Sequence, residues 1–149
     1  MELDSTSKKR NFIYSLKKFI LEEIYDSLGI LPIFDEFLPP EESQSEWIFV
    51  DIGGLDRQVL SAFDFTIYCV TRRDYEGDNL SILSDKVVGA FTDNTTTDGL
   101  KRIPFYDAVT KVQNGAMVVT ECNEGKGGLE APDKSKFSIF TLTARMASK

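Results

Sequence analysis

The sequence predicts an α+β domain, in which a mostly antiparallel sheet carries an N-terminal helix and a second helix packed on one face. Apolar residues in the first thirty positions recur at helical spacing, whereas positions 47–71 and 136–146 alternate in character as strands do. A second helical pattern occurs once between the strands, so there is no repeating rhythm of parallel strand and helix. The 149 residues suffice for one domain with a substantial core, and we assign all of them, 1–149, to it.

The first predicted element is an amphipathic helix of about five turns. The polar residues Asp4–Ser7 are candidates for its N-cap, and Gly29 stands where helices often end in a left-handed residue. Its apolar stripe comprises Phe12, Leu16, Phe19, Ile20, Ile24 and Leu28.

The charges on this helix are ordered against its dipole. The basic residues Lys8, Lys9 and Arg10 stand near its positive end, and the acidic residues Glu22, Glu23 and Asp26 stand near its negative end. Such an arrangement costs a helix a few tenths to about 1 kcal/mol per charge. Two interpretations stay open: a solvated helix face, or charges placed for a partner surface.

A β-hairpin is predicted over residues 47–71. Before it, ILPIFDEFLPP is a short extended segment that stops at Pro39–Pro40, and a polar loop follows. Trp47–Ile52 forms the first strand, Gly53–Gly54 signals the turn, and QVLSAFDFTIYCV returns as a long strand. The apolar face of this return strand requires a cover.

The predicted cover is a second helix. Asp78 or Asn79 is its expected cap, and Gly89 with the segment DNTTTDG is expected to end it. Its apolar stripe should face the return strand, because a strand with one apolar face must bury that face. The residues concerned are Leu80, Leu83, Val87 and Phe91 on the helix, and Phe65, Ile67 and Cys69 on the strand.

Three strands complete the predicted sheet. They are KRIPFYD, AMVVTEC and KFSIFTLTARM, with a turn around Asn114 and Gly115 between the first two. The polar loop at 39–46 precedes the hairpin, and the loop at 123–136 is long enough to be mobile or to order only on a partner.

Composition argues against several classes of protein. With 24 acidic and 17 basic residues the net charge is −7, whereas general nucleic-acid binding depends on clustered Lys and Arg. No apolar run approaches the roughly 20 residues of a membrane span, and no signal-peptide core is present. We therefore expect a globular protein that is made and kept in the cytoplasm, with no membrane partner.

The sequence offers no constellation for catalysis. It contains no histidine, which removes Ser-His-Asp and Cys-His triads and histidine-containing zinc sites. Cys69 and Cys122 lack metal-binding spacing and are expected to be buried, reduced and structural. The GKGG segment at 125–128 lacks the rest of a phosphate loop, and DNTTTDG lacks the closing Glu of a calcium loop. We predict no catalytic, cofactor-binding or metal-ligating residue, and hence no enzyme.

The long strand FDFTIYCV runs directly into a charged cluster formed by Arg72, Arg73, Asp74 and Glu76. This cluster is interpretable as a local salt-bridged turn, as a contact with another subunit or partner, or as an anion site. An anion site would need further basic groups, and the adjacent acids argue against it. Together with the six helix charges above, the cluster is our candidate for a subunit or partner interface.

The order of these elements resembles that of the tail terminator proteins of long-tailed bacteriophages. The resemblance covers roughly residues 8–146 and rests on the N-terminal helix, EWIFVDIGG, the strand FDFTIYCVTRRDYEGD leading into NLSILSDKVVGAF, KRIPFYD and two closing strands. It implies a structural protein of the virion tail and neck, assembled in the bacterial cytoplasm, with no catalytic residues.

The resemblance also implies the partners. Six copies would close into a homohexameric ring at the head-proximal end of the tail tube, stop polymerisation of the tube protein and join the tail to the head-tail connector or other neck proteins. DNA would pass through the lumen without specific binding. Each copy in a closed ring uses two different surfaces, and we expect Arg72 or Arg73 to contact acids of a neighbouring subunit.

Other functions stay open on the sequence. The second structural interpretation is another neck or tail-completion protein of the virion. A small monomeric enzyme or ligand-binding domain and a nucleic-acid-binding module are the remaining alternatives.

Overall fold

Within the residues that it describes, the computed structural model contains two helices and seven strands. The described residues are 8–34, 40–41, 43–56, 60–74, 76–93, 95, 101–125, 129–130 and 135–147. Helix α1 spans Lys8–Ile20 and continues as a π-helical segment, Leu21–Asp26, and helix α2 spans Asp78–Ala90. The strands are β1 (Leu31–Phe34), β2 (Glu46–Asp56), β3 (Leu60–Thr71), β4 (Arg102–Tyr106), β5 (Gln113–Glu124), β6 (Leu129–Glu130) and β7 (Lys136–Ala147). The predicted caps Asp4–Ser7 and most of DNTTTDG lie outside the described residues.

The described strands form one sheet in the order β1, β2, β3, β7, β5, β4, and the short β6 pairs with β7 beyond the end of β5. Strand β1 runs parallel to β2, whereas the other pairs are antiparallel. The predicted α+β class with a mostly antiparallel sheet is confirmed, although the sheet is mixed. Parallel neighbours cannot be joined by a tight hairpin turn, and residues 35–45 separate β1 from β2 in the sequence.

The main core lies between one face of the sheet and the two helices. The Phe12 ring of α1 lies 5.3 Å from that of Phe63 and 4.9 Å from that of Phe105. At the end of α2, Phe91 lies 5.3 Å from Phe19 and 5.7 Å from Phe65. The predicted α2 stripe and the predicted strand face are buried in this same cluster, so that contact is confirmed.

The N-terminal helix is confirmed, but its last turn differs from the prediction. Leu28 is 39% exposed, whereas the other five stripe residues are buried, and Ile30 occupies the core beyond the helix. The wider turn of the π-helical segment Leu21–Asp26 explains this difference, because it changes the angular position of the residues that follow it. Gly29, at φ +71°, donates its N–H to the Tyr25 carbonyl at 3.0 Å, which makes it the predicted left-handed terminator.

The hairpin is confirmed, but Gly53–Gly54 does not form its turn. Both glycines lie inside β2, where pairing with β3 shifts register between Ile52 and Leu55. A Cβ on Gly53 would lie 2.7 Å from the Asp64 carbonyl oxygen, so the close approach of the two strands requires glycine. Glycine pairs mark bulges as well as turns, and the sequence pattern does not separate the two.

The predicted turn around Asn114–Gly115 is also wrong, because both residues lie inside β5. The turn is Asp107–Val112. Its first carboxylate accepts hydrogen bonds from the main-chain N–H groups of Val109 at 2.8 Å and Thr110 at 2.9 Å. This local bonding by an aspartate is what starts the turn.

Both boundaries of α2 differ from the prediction. Gly89 lies inside the helix, which continues to Ala90. Neither Asp78 nor Asn79 caps it, since the N-cap residue is Gly77, at φ +81°, without a side-chain capping bond. The main-chain N–H groups at the start of α2 instead donate to the carboxylate of Asp74, which precedes the helix.

Helix α1 covers the outer edge of β4. The hydroxyl oxygen of Ser15 accepts a hydrogen bond from the Tyr106 N–H at 2.8 Å, and Oδ1 of Asn11 accepts one from the Ala108 N–H at 2.9 Å. Both side chains are buried. These bonds satisfy main-chain donors that an edge strand would otherwise expose, and they hold α1 beside the turn Asp107–Val112.

Candidate assembly interface

Arg72, the first predicted interface residue, is bound within the chain. Its guanidinium donates hydrogen bonds to the carbonyl oxygens of Glu41 at 2.7 Å and Pro40 at 3.0 Å, and it lies 4.6 Å from the centroid of the Trp47 ring. The Arg72 main-chain N–H also donates a hydrogen bond to the carbonyl oxygen of Ser45 at 2.8 Å. Arg72 thus anchors the segment before β2, and these contacts are with main-chain oxygens instead of the carboxylates that a salt-bridged turn would use.

Under Arg72 lies a second apolar cluster, on the face of the sheet opposite the helices. It consists of buried Trp47, Phe49 and Val70, with Leu31, Ile33, Tyr68 and Phe137 packed around them. The aromatic rings of the first two lie 6.1 Å apart and nearly perpendicular. The Arg72 side chain therefore joins the segment before β2 to a packed outer face.

Asp74 supplies the missing cap of α2. Its buried carboxylate accepts hydrogen bonds from the N–H groups of Leu80 at 2.8 Å, Gly77 at 3.1 Å and Asn79 at 3.3 Å, and from the Thr71 hydroxyl at 3.2 Å. Burial raises the pKa of this carboxyl, but the four hydrogen bonds outweigh burial and hold the pKa below its ordinary value. Asp74 is therefore a structural residue.

Two members of the charged strand end are at the surface. Arg73 and Glu76 are exposed. Arg73 adopts φ +56°, an uncommon conformation for a residue with a side chain, and it stands where the chain leaves β3 for α2. Of the four predicted residues in this cluster, these two present charge to solvent.

The π-helical end of α1 carries an exposed apolar stripe among acids. Leu21, Tyr25 and Leu28 are 44%, 45% and 39% exposed, and residues three and four apart lie on one side of a helix. All three predicted acids of this helix are exposed here. We name this surface the acidic patch, defined by Leu21, Tyr25, Leu28, Glu22, Glu23 and Asp26.

Lys18 partly neutralises the charge of the acidic patch at Glu22. Its ammonium group lies 2.6 Å from the Glu22 carboxylate and 5.2 Å from the centroid of the Tyr106 ring. The hydrogen bond to Glu22 raises the pKa of Lys18. Glu22 and Glu23 also line a groove together with Lys101 and Arg102, which further reduces the excess negative charge of the acidic patch.

The opposite end of α1 carries exposed apolar residues beside bases. Val109 and Val112, in the turn next to the helix, are 66% and 54% exposed. The Lys111 ammonium group lies 4.1 Å from the centroid of the Tyr14 ring, which fixes the turn to the helix. We name this surface the basic patch, defined by Lys9, Arg10, Lys111, Val109 and Val112. The Lys8 side chain lies outside the described part of the structure.

Sequence reasoning found the charges of these two patches but missed their apolar residues. Leu21 and Tyr25 are apolar residues outside the predicted core stripe. Their position could have indicated an exposed apolar surface on this helix. Val109 and Val112 gave no such signal, because only the packing of their turn against α1 brings that turn beside the helix.

A groove of about 210 Å³ lies between α1 and β4. Lys18, Lys101 and Arg102 line it together with Glu22 and Glu23. The acids offset much of the positive charge, so the groove does not have the converging cations that would favour a phosphate group.

The two cysteines are free thiols in different surroundings. Cys69 is buried, as expected, whereas Cys122 is only half-buried. Burial raises the pKa of Cys69 to about 12, although hydrogen bonds with Ser84 and Ser138 act in the opposite direction. The described residues contain no group of three or more His, Cys, Asp or Glu side chains placed to bind a metal ion.

The chain is thus an α+β domain, and each end of its first helix carries a patch in which exposed apolar residues lie among charged ones. A solved structure of a protein known only by a sequence label has a TM-score of 0.54 with this chain, at 9% sequence identity. The match covers 88% of this chain and 92% of that one, which shows a shared fold. No protein-family model and no curated protein matches the sequence. None of the described helices has the length and apolar character needed to cross a membrane.

Proposed function

We propose that this chain is a structural virion protein that acts as a phage tail terminator. Six copies form a ring at the head-proximal end of the tail tube, stop polymerisation of the tube protein and join the tail to the head connector. The observation that carries the proposal is the pair of patches at opposite ends of α1. A ring of identical copies requires two different surfaces on each copy, and these patches differ in charge while both expose apolar side chains.

Two further properties of the sequence support this function. The order of helices and strands resembles that of tail terminators over roughly residues 8–146. The net charge of −7 suits a ring around a DNA passage, because an acidic wall repels the phosphate backbone and does not retain it.

The ionisable groups with shifted pKa values serve structure, which supports a role without catalysis. Asp74 caps α2, and Asp107 starts the turn after β4. The Cys69 thiol is enclosed between the sheet and α2 and is protonated at neutral pH. We accordingly propose no catalytic residue and no cofactor.

The proposal is tested by deleting the coding sequence from the viral genome that carries it and imaging the lysate by electron microscopy. Without a terminator, tube polymers of indefinite length and DNA-filled heads without tails are expected. Expression of the wild-type chain in trans should restore tails of uniform length. Tails of normal length that are attached to heads would contradict the proposal.

The same images separate the two structural alternatives. Tails of uniform length that fail to join heads would assign the chain to another neck or tail-completion step. Tubes that overrun their normal length would assign it to termination itself, because a terminator acts by stopping polymerisation of the tube.

A further inference from the structure

We propose that the acidic patch of one copy binds the basic patch of the next copy, so that copies of this chain associate head to tail. The inference rests on the proposed ring and names the contact that builds it. The partner of each patch is therefore a second copy of this chain.

The chemistry of the two patches is complementary. Each exposes large apolar side chains, and burying them against each other removes apolar surface from water. The acidic patch exposes Glu23 and Asp26, and the basic patch exposes Lys9, Arg10 and Lys111. The contrast in charge is reduced by Lys101 and Arg102, which line a groove with Glu23, and by Asp107, whose pKa is lowered first by main-chain hydrogen bonds and also by the charge of Arg10. Opposite charges at the rim select this pairing and steer association, whereas pairing a patch with its own kind would bring like charges together.

The geometry excludes contact between the two patches of one copy. The α-helical part from Arg10 to Ile20 alone spans about 15 Å at 1.5 Å per residue, and the π-helical segment Leu21–Asp26 adds to that separation. The patches face different neighbours, as a heterologous contact requires. Repeated contacts of this kind form a closed ring when the rotation between neighbouring copies adds up to one full turn.

Both patches belong to one rigid unit. This rigidity is required because the rotation between neighbouring copies must be the same at every contact of a ring. The buried hydrogen bonds of Asn11 and Ser15 hold α1 against β4 and the following turn. The basic patch is therefore fixed relative to the helix that carries the acidic patch. The reversed order of charges along α1, unfavourable for the isolated helix, is compensated when a neighbouring copy supplies the opposite charge.

The first test uses two full-length variants that each lose one patch. Leu21→Ser with Tyr25→Ser removes apolar side chains from the acidic patch, and Val109→Ser with Val112→Ser does so for the basic patch. All four positions are exposed, so both variants should melt as the wild type does. By light scattering after size exclusion, each variant alone should be monomeric, and an equimolar mixture should form dimers and nothing larger.

The mixture is the decisive sample, because each member keeps the patch that the other has lost. A mixture that stays monomeric at concentrations where the wild type assembles would overturn the proposal. Assembly of either single variant to the wild-type size would overturn it as well. Binding of the patches to the tube protein instead of to each other would produce the first of these results.

Cysteine cross-linking covers the case in which wild-type assembly is weak. In a Cys122→Ala background, Tyr25→Cys together with Val109→Cys should yield a ladder of disulfide-linked oligomers on mild oxidation. The control replaces Tyr25→Cys by Ile82→Cys, which is 52% exposed on α2 and outside both patches. Equal cross-linking of the two pairs, or none with the first, would overturn the proposal.

Failure of this inference is distinguishable from failure of the proposed function. Rings that form with either patch removed would leave the terminator function standing and place the contact elsewhere. Head-to-tail association through the patches, with normal tails in the deletion virus, would leave the contact standing and reject the function.

Discussion

The Arg72 guanidinium lies 4.6 Å from the centroid of the Trp47 ring while donating hydrogen bonds to the carbonyl oxygens of Pro40 and Glu41. One side chain thereby ties the segment before β2 to the outer face of the sheet. Because Trp47 is the single tryptophan of the chain, its fluorescence reports directly on this contact.

Arg72→Ala should lower the free energy of unfolding by about 1–3 kcal/mol, since it removes a cation over an aromatic ring and three charge-assisted hydrogen bonds to carbonyl oxygens. Trp47 emission should shift to longer wavelength as water reaches the ring. Lys86→Ala is the control, because it removes one positive charge from an exposed position of α2. Unchanged emission and denaturant midpoint in Arg72→Ala would show that the contact contributes nothing to stability.

Asp74→Ala should lower the free energy of unfolding by about 1–2 kcal/mol, the usual cost of losing a helix cap. Asp78→Ala is the control, since Asp78 is in the first turn of the same helix but makes no capping bond. Denaturant unfolding of the three proteins measures the difference. Equal losses in the two variants would reject Asp74 as the cap.

The capping carboxylate should also make stability depend on pH. Its folded pKa lies below the ordinary value of about 3.9, so its contribution is complete above that value and is lost as pH falls through the folded pKa. The stability difference between wild type and Asp74→Asn should therefore be constant above about pH 5 and shrink below about pH 4. A difference that does not change over this range would contradict the assignment.

Gly53→Ala should destabilise the protein by about 1–3 kcal/mol, because the added methyl group would meet the Asp64 carbonyl oxygen across the strand pair. Gly54→Ala is an adjacent control with nothing within 4 Å of the added atom. Thermal melts compare them. If both variants melt alike, the close approach at Gly53 is relieved without cost.

Cys122 should react with a thiol reagent in the native protein, and Cys69 should not. The Cys69 thiol is fully buried and its pKa is raised to about 12, so little thiolate forms and little reagent reaches it. Absorbance with a disulfide reagent should show about one reactive thiol before unfolding and a second one in denaturant. Cys122→Ala should abolish the first reaction, and rapid modification of that variant would show that Cys69 is accessible.

Sequence patterns were sufficient to predict the core-facing residues of α1, α2 and β3, with Leu28 as the exception. Helical periodicity found the stripes of α1 and α2, and period-two alternation found the buried face of β3, because burial requires those spacings whatever the neighbouring element is. Gly29 was identified in the same way, since its position after a helical pattern favours a left-handed residue. The charges at both ends of α1 were also visible as a pattern.

The contacts between these elements follow from the packing of distant segments and could not be predicted from local patterns. The bond between Asn11 and Ala108 joins residues nearly a hundred positions apart, and together with the contact of Lys111 with Tyr14 it places the turn that carries the two exposed valines beside α1. The path of the chain likewise decided that β1 pairs in parallel with β2 and that Gly53 lies in a bulge. Asp74 caps α2 because the turn after β3 places its carboxylate beside the first N–H groups of the helix. Local patterns fix which face is buried, whereas contacts between distant segments depend on the energy of the whole packed fold.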